Sequence, residues 1–142
     1  MQVSELMSTN IVAVSPDSTA AEAAGTMTRS DVGIVLVCGQ NGSLQGVLTD
    51  RDIVTRCVAV QSDPVQTKVQ DLMTRNVVTI SPNEEMKTAA DLLSGEQIRR
   101  IPVVEGTRVV GMLSLADLVH SDLYDMEAAQ ALTEITSPAR EY

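Results

Sequence analysis

The sequence repeats itself. VSELMSTNIVAVSP at residues 3–16 lies over VQDLMTRNVVTISP at residues 69–82, and GVLTDRDIV at 46–54 lies over GMLSLADLV at 111–119. The offset is 66 residues at the front of the unit and 65 at its end, so one residue is lost between them. The turn strings CGQNGS and EGT show where. A fold for this chain must be built from two copies of one supersecondary unit, and neither copy buries enough to be stable alone.

Period and punctuation predict the unit. A strand over 11–14, recurring at 77–80, is stopped each time by Ser-Pro. A helix follows over 18–29 and 84–94, with Ala, Met or Leu on one face. Two short strands then form a hairpin, 34–37 with 44–48 and 101–104 with 109–113, turning at Asn41-Gly42 and Glu105-Gly106. A second helix closes each unit at 50–60 and 115–124. The expected fold is α/β (α+β), two β-α-β-β-α repeats packed with pseudo-twofold symmetry. Residues 1–60 are the first repeat, 61–68 a polar linker with Pro64, 69–124 the second repeat, and 125–142 a last helix (126–135) and a tail with Pro138.

Composition narrows the function classes. Phe and Trp are absent and Tyr124 and Tyr142 are the aromatic residues, so the core is aliphatic. A net charge of −9 without a basic face or stacking aromatics argues against nucleic acid. No apolar run approaches the ~20 residues that span a bilayer, and the first ten residues lack the features of a signal peptide. The expected compartment is the cytoplasm, with no membrane partner. Cys38 and Cys57 with the lone His120 are too few for a zinc site. They read as two small buried thiols, or as a redox pair.

Chemistry concentrates where the last strand of each repeat meets its closing helix. Thr49-Asp50-Arg51-Asp52 and Ser114-Leu115-Ala116-Asp117 each place a hydroxyl three residues before a carboxylate. As a capping box this pattern satisfies free N–H groups of the helix start. As a site it offers an ionised carboxylate that can accept two hydrogen bonds from a vicinal diol.

Taken together, LMSTNIVAVSP, LMTRNVVTISP, RRIPVVEGTRVVGMLS and the two closing motifs resemble a tandem pair of cystathionine-β-synthase (CBS) domains, the Bateman module. The resemblance covers residues 3–124, and the chain is similar to small stand-alone bacterial CBS proteins of the hypoxic-response type. It implies a non-catalytic regulatory module binding an adenosine nucleotide (AMP, ADP, ATP, NAD or S-adenosylmethionine) in clefts between the repeats. No catalytic residue, metal or catalytic cofactor is expected. Asp52 and Asp117 would then accept from ribose hydroxyls, while Thr49 and Ser114 contact ribose or phosphate. Phosphate would meet the helix start and Arg51, Arg99 or Arg100. Adenine would lie against the strand edges at Val12, Val14, Val78 and Ile80, walled by Val32, Ile98, Ile101 and Pro102. Each of these residues also has a plain structural reading, as core packing or an exposed charge. The halves differ, with Gly33-Ile34 where the second has Arg99-Arg100, and Asp50-Arg51 where it has Leu115-Ala116, so the clefts should bind unequally. In the first repeat Leu36 stands where the family pattern has proline. A homodimer through the helices at 20–27 and 86–93 and a separate, unidentified effector protein complete the expectation. The alternatives are a structural stress-response protein with empty clefts, or a thiol-redox protein using Cys38 and Cys57.

Overall fold

The computed structural model describes residues 1–119. Outside them lie His120, the part of the second closing helix expected over 120–124, and the expected last helix and tail. Helices and short strands alternate in an α+β fold. Two compact units form: Ile11–Val77, and Met1–Asn10 joined to the chain from Val78 onward. The leader of each repeat is therefore built into the body of the other.

In Ile11–Val77, β1 (Ala13–Val14), β2 (Ile34–Cys38) and β3 (Leu44–Thr49) form a three-stranded sheet in that order. Strand β1 runs parallel to β2, and β3 antiparallel. Helix α1 (Ala20–Ser30) starts at Thr19, whose hydroxyl accepts from the Glu22 N–H at 3.1 Å. It turns Ala20, Ala23 and Met27 into the core, a helical spacing, and ends at Asp31 in the left-handed region. The closing helix is shorter than expected. Helix α2 (Asp50–Ile53) passes into one π-helical turn, Val54–Val58, in which the Ala59 N–H reaches the Val54 carbonyl. Cys57 on this turn is buried in the core. Leader residues Val69, Leu72 and Met73 of the second repeat pack in the same core.

The other unit holds α3 (Met86–Glu96), the hairpin β4 (Arg100–Glu105) with β5 (Arg108–Ser114), and α4 (Leu115–Val119). Its core gathers Met86, Ala89, Ala90 and Leu93 from α3 with Ile101, Val103, Leu113, Leu118 and the leader residue Val3. The Gly106 turn has φ +66°, a value glycine adopts without strain. A strand expected over 77–80 does not form here, and Ile80 makes one parallel bridge to Val103. The reason is Pro102. In the first repeat the Leu36 N–H donates to the Val12 carbonyl at 3.0 Å and opens the β1–β2 ladder. Position 102 is the equivalent of 36 and carries no N–H, so that rung cannot exist.

Close approach of the leaders depends on two glycines at equivalent positions. A Cβ on Gly46 would lie 2.7 Å from the Thr74 carbonyl oxygen, and one on Gly111 would lie 2.9 Å from that of Ser8. These approaches make the Val47–Thr74 and Ser8–Met112 bridges possible. The apolar stripes of 20–27 and 86–93, expected as faces for a second copy, are occupied by the cores of their own units.

Candidate functional site

Thr49 closes β3 and caps α2, and Ser114 closes β5 ahead of α4. Both junctions form the reciprocal pair that the sequence pattern suggests. In the first, the Asp52 N–H donates to Thr49 Oγ1 at 3.1 Å, and the Thr49 N–H donates to Asp52 Oδ2 at 2.9 Å. In the second, the Asp117 N–H donates to Ser114 Oγ at 3.2 Å, and the Ser114 N–H donates to Asp117 Oδ2 at 2.8 Å. Each carboxylate is half-buried and accepts its cap hydrogen bond on Oδ2. The hydroxyl and carboxylate converge at the same point of both repeats, where they can accept and donate toward a polyol.

The surroundings differ. At the first junction the helix start is already satisfied from within: the Asp50 N–H donates to the Gly33 carbonyl at 3.0 Å, and the Arg51 N–H to Asp50 Oδ1 at 2.8 Å. The expected reach of phosphate to free N–H groups there has no donors left in that turn. Arg51 is exposed. Arg56, not singled out from the sequence, lies beside the site: its Nη2 is 3.6 Å from Asp52 Oδ1 and its Nη1 donates to the Leu72 carbonyl at 2.7 Å. Its signal was present as an acid and a base four residues apart on a helical stretch.

At the second junction Arg100 is the cross-strand partner of Ser114, so both side chains leave the same face of the hairpin. The Arg99 carbonyl accepts from the Leu115 N–H at 2.8 Å. Both arginines are exposed. In the first repeat the same two places are held by Gly33 and Ile34.

Of the residues expected around a base, Val12, Val14 and Val32 are half-buried against the Ile11–Val77 core, and the Val12 carbonyl is used by the sheet. Val78 and Ile98 are also half-buried. Ile80 (5% exposed) and Ile101 (0%) are core residues of the other unit, and Pro102 is buried next to them. The Ile80 N–H and carbonyl are taken by Pro102 and Val104. A separate cavity of about 500 Å³ lies between α1 and α2, lined by Ala24, Met27, Thr28, Asp31, Val32, Gly33, Asp50, Ile53 and Val54. Its two carboxylates make it a poor place for an anion, and it shares only Val32 with the expected site residues. Cys38 lies at the end of β2, where burial pushes its thiol up from the ordinary value. Among the described residues, no three or more His, Cys, Asp or Glu side chains are placed to hold a metal.

The CBS domain model matches residues 3–59 and 69–124. The chain belongs to the CBS domain family. It is a CBS pair, a regulatory type of module. It is 39% identical over 134 residues to the CBS domain-containing protein YhcV of Bacillus subtilis, covering 94% of each chain. It is 29% identical to Hypoxic response protein 1 of Mycobacterium tuberculosis, covering 94% of this chain and 93% of that one. The crystal structure of Hypoxic Response Protein I with two coordinated zinc ions superposes with a TM-score of 0.78 over 85% of this chain and 99% of that one. A CBS domain protein of Pyrobaculum aerophilum, PAE2072, complexed with AMP, shares the fold at 24% identity, with a TM-score of 0.77 over 91% of this chain and 98% of that one. No helix among the described residues is long and apolar enough to cross a membrane.

Proposed function

We propose that this CBS pair is a non-catalytic sensor that binds an adenosine nucleotide and reports energy or stress state to a separate protein. The observation that carries the reading is the recurrence of one polar device in both repeats: Thr49 with Asp52, and Ser114 with Asp117, joined by the same two hydrogen bonds. A cap alone needs one acceptor at each end of the pair. A half-buried carboxylate keeps further lone pairs, and a ribose diol supplies two donors to them. The AMP complex of PAE2072 supports the ligand class, because that protein shares the fold. Hypoxic response protein 1, by its name, supports a role under stress.

On this reading the aliphatic residues Val12, Val14, Val32, Val78 and Ile98 supply the walls for the base, and Arg51, Arg99 or Arg100 the charge for phosphate. Pairing of two copies belongs to the same proposal. It would use exposed side chains on the closing helices, such as Val54 and Val58, since the Ala and Met stripes are occupied. Equilibrium dialysis against AMP, ATP, NAD and S-adenosylmethionine tests the function. Saturable retention of at least one of the four is expected. Retention of none at millimolar concentration would leave the structural role.

A further inference from the structure

The cavity of about 500 Å³ between α1 and α2 touches the proposed nucleotide walls at Val32 alone, and its charge suits a cation rather than a phosphate. Met27 and Ile53 give it a buried apolar floor, and Val54 lines it while keeping 57% of its surface exposed. Asp31 and Asp50 supply the charge. Asp31 is exposed at the C-terminal end of α1, where the helix dipole adds to its negative potential. Among the described residues its carboxylate enters no ion pair. Asp50 accepts the Arg51 N–H on Oδ1, and its Oδ2 lies 3.2 Å from where a Cβ on Gly33 would stand. The cavity is open here because glycine leaves that space empty.

The second repeat carries the complement. Its equivalents of Asp31, Gly33 and Asp50 are Gln97, Arg99 and Leu115, so both acids are gone and a base has appeared. The equivalent of Val54 is Val119, which is also exposed, at 50%. The two repeats thus share an apolar spot and differ in the charge around it. Arg99 already has a partner within its own chain. Its neighbour Arg100 is exposed, lies across the hairpin from the uncharged Ser114, and enters no ion pair among the described residues. Other cations have acids of their own: Arg56 faces Asp52, Lys68 faces Asp17, Lys87 faces Asp91, and Arg108 lies across from Glu105.

Two chains of net charge −9 repel one another, so their pairing has to bring a base of one copy onto acids of the other. Building on the pairing in the proposed function, we infer that unlike repeats meet. The α1–α2 cavity of one copy receives Arg100 of a second copy between Asp31 and Asp50, and Val54 is covered by Val119 of that copy. A guanidinium suits the place, since its planar fork bonds carboxylates while its stem lies on the apolar floor. Pairing of like repeats is disfavoured, because it sets Asp31 and Asp50 against their own copies and Arg100 against Arg100. The charges therefore fix the direction of the pair, and phosphate is left to Arg51 or Arg99.

Sedimentation equilibrium of the full chain, without nucleotide, tests this. The wild type should be a dimer at micromolar concentration. Asp50→Lys and Arg100→Glu should each weaken pairing by at least about tenfold, since a twofold pair makes each contact twice and each variant turns both into like-charge contacts. Mixing the two variants should restore the dimer: the reversed charges then face one another in one contact, and the native pair forms in the other. Recovery on mixing also shows that both variants are folded. Should either reversal fail to fold by circular dichroism, Asp31→Asn, which tolerates the left-handed backbone, and Arg100→Gln carry the same test with a smaller loss. Variants as dimeric as the wild type, or no recovery on mixing two folded monomeric variants, would overturn the inference and leave pairing intact. A wild type that stays monomeric would overturn pairing as well, while nucleotide retention is read separately by dialysis.

Discussion

Leu36→Pro places in the first repeat the residue that the second carries at position 102, and its cost can be worked from the structure. Leu36 is 1% exposed, and its N–H donates to the Val12 carbonyl at 3.0 Å. Proline removes the donor and leaves that carbonyl unpaired beside the core, at about 1–3 kcal/mol. It also replaces a buried leucine by a smaller ring, at about 1–2 kcal/mol. The residue before it, Val35, is already in a strand, so proline's restriction on its neighbour adds little. The sum, ~2–5 kcal/mol, is a large part of the ~5–15 kcal/mol that holds a domain folded. Urea unfolding followed by circular dichroism should therefore show a midpoint lowered by roughly 1–3 M with little change in slope. Leu36→Val separates the two contributions, because it trims the side chain to a size close to proline's and keeps the N–H. Leu36→Pro should be the less stable of the two by about 1–3 kcal/mol. Equal stability of the two variants would refute the argument that this one N–H separates a β1 ladder from a lone bridge at Ile80.

Gly46→Ala should destabilise by about 1–3 kcal/mol in the same assay: the Met73 side chain can move aside, but the Thr74 carbonyl is fixed by its exchange with Val47. Gln97→Gly should stabilise by about 1 kcal/mol in thermal denaturation, since glycine suits the φ of +53° and the substitution removes a buried Oε1 that has no hydrogen-bond partner among the described residues. Cys38 should be alkylated by iodoacetamide more slowly at neutral pH than a free thiol, and faster as pH rises, because burial raises its pKa and keeps the thiolate scarce. Rapid labelling at pH 7 would instead favour the redox reading.

Much of this was legible because the code was written twice. Thr49-x-x-Asp52 and Ser114-x-x-Asp117 announce caps, and the hairpins follow from aliphatic runs flanking Asn-Gly and Glu-Gly. What stayed hidden was relational. Val3, Leu6 and Met7 match Val69, Leu72 and Met73 so closely that periodicity cannot say which body each leader joins. The apolar faces of α1 and α3 look the same whether they meet a second copy or their own sheet, and only the packing assigns them to the cores. The residues of 77–80 by themselves suggest a strand, while its fate lies in Pro102, more than twenty positions away. Arg56 does not stand out in the sequence because its anchor is the Leu72 carbonyl, which sequence spacing does not bring near.

The central claim is that these repeats hold an adenosine nucleotide, and thermal denaturation of the whole chain with increasing AMP, ATP, NAD and S-adenosylmethionine tests it most directly. A ligand specific for the folded state adds about 2.7 kcal/mol at a hundred times its Kd, so the unfolding temperature should climb steadily with at least one of the four. An unfolding temperature that none of them moves would contradict the account, leaving Thr49–Asp52 and Ser114–Asp117 as helix caps in a protein that works through its surface.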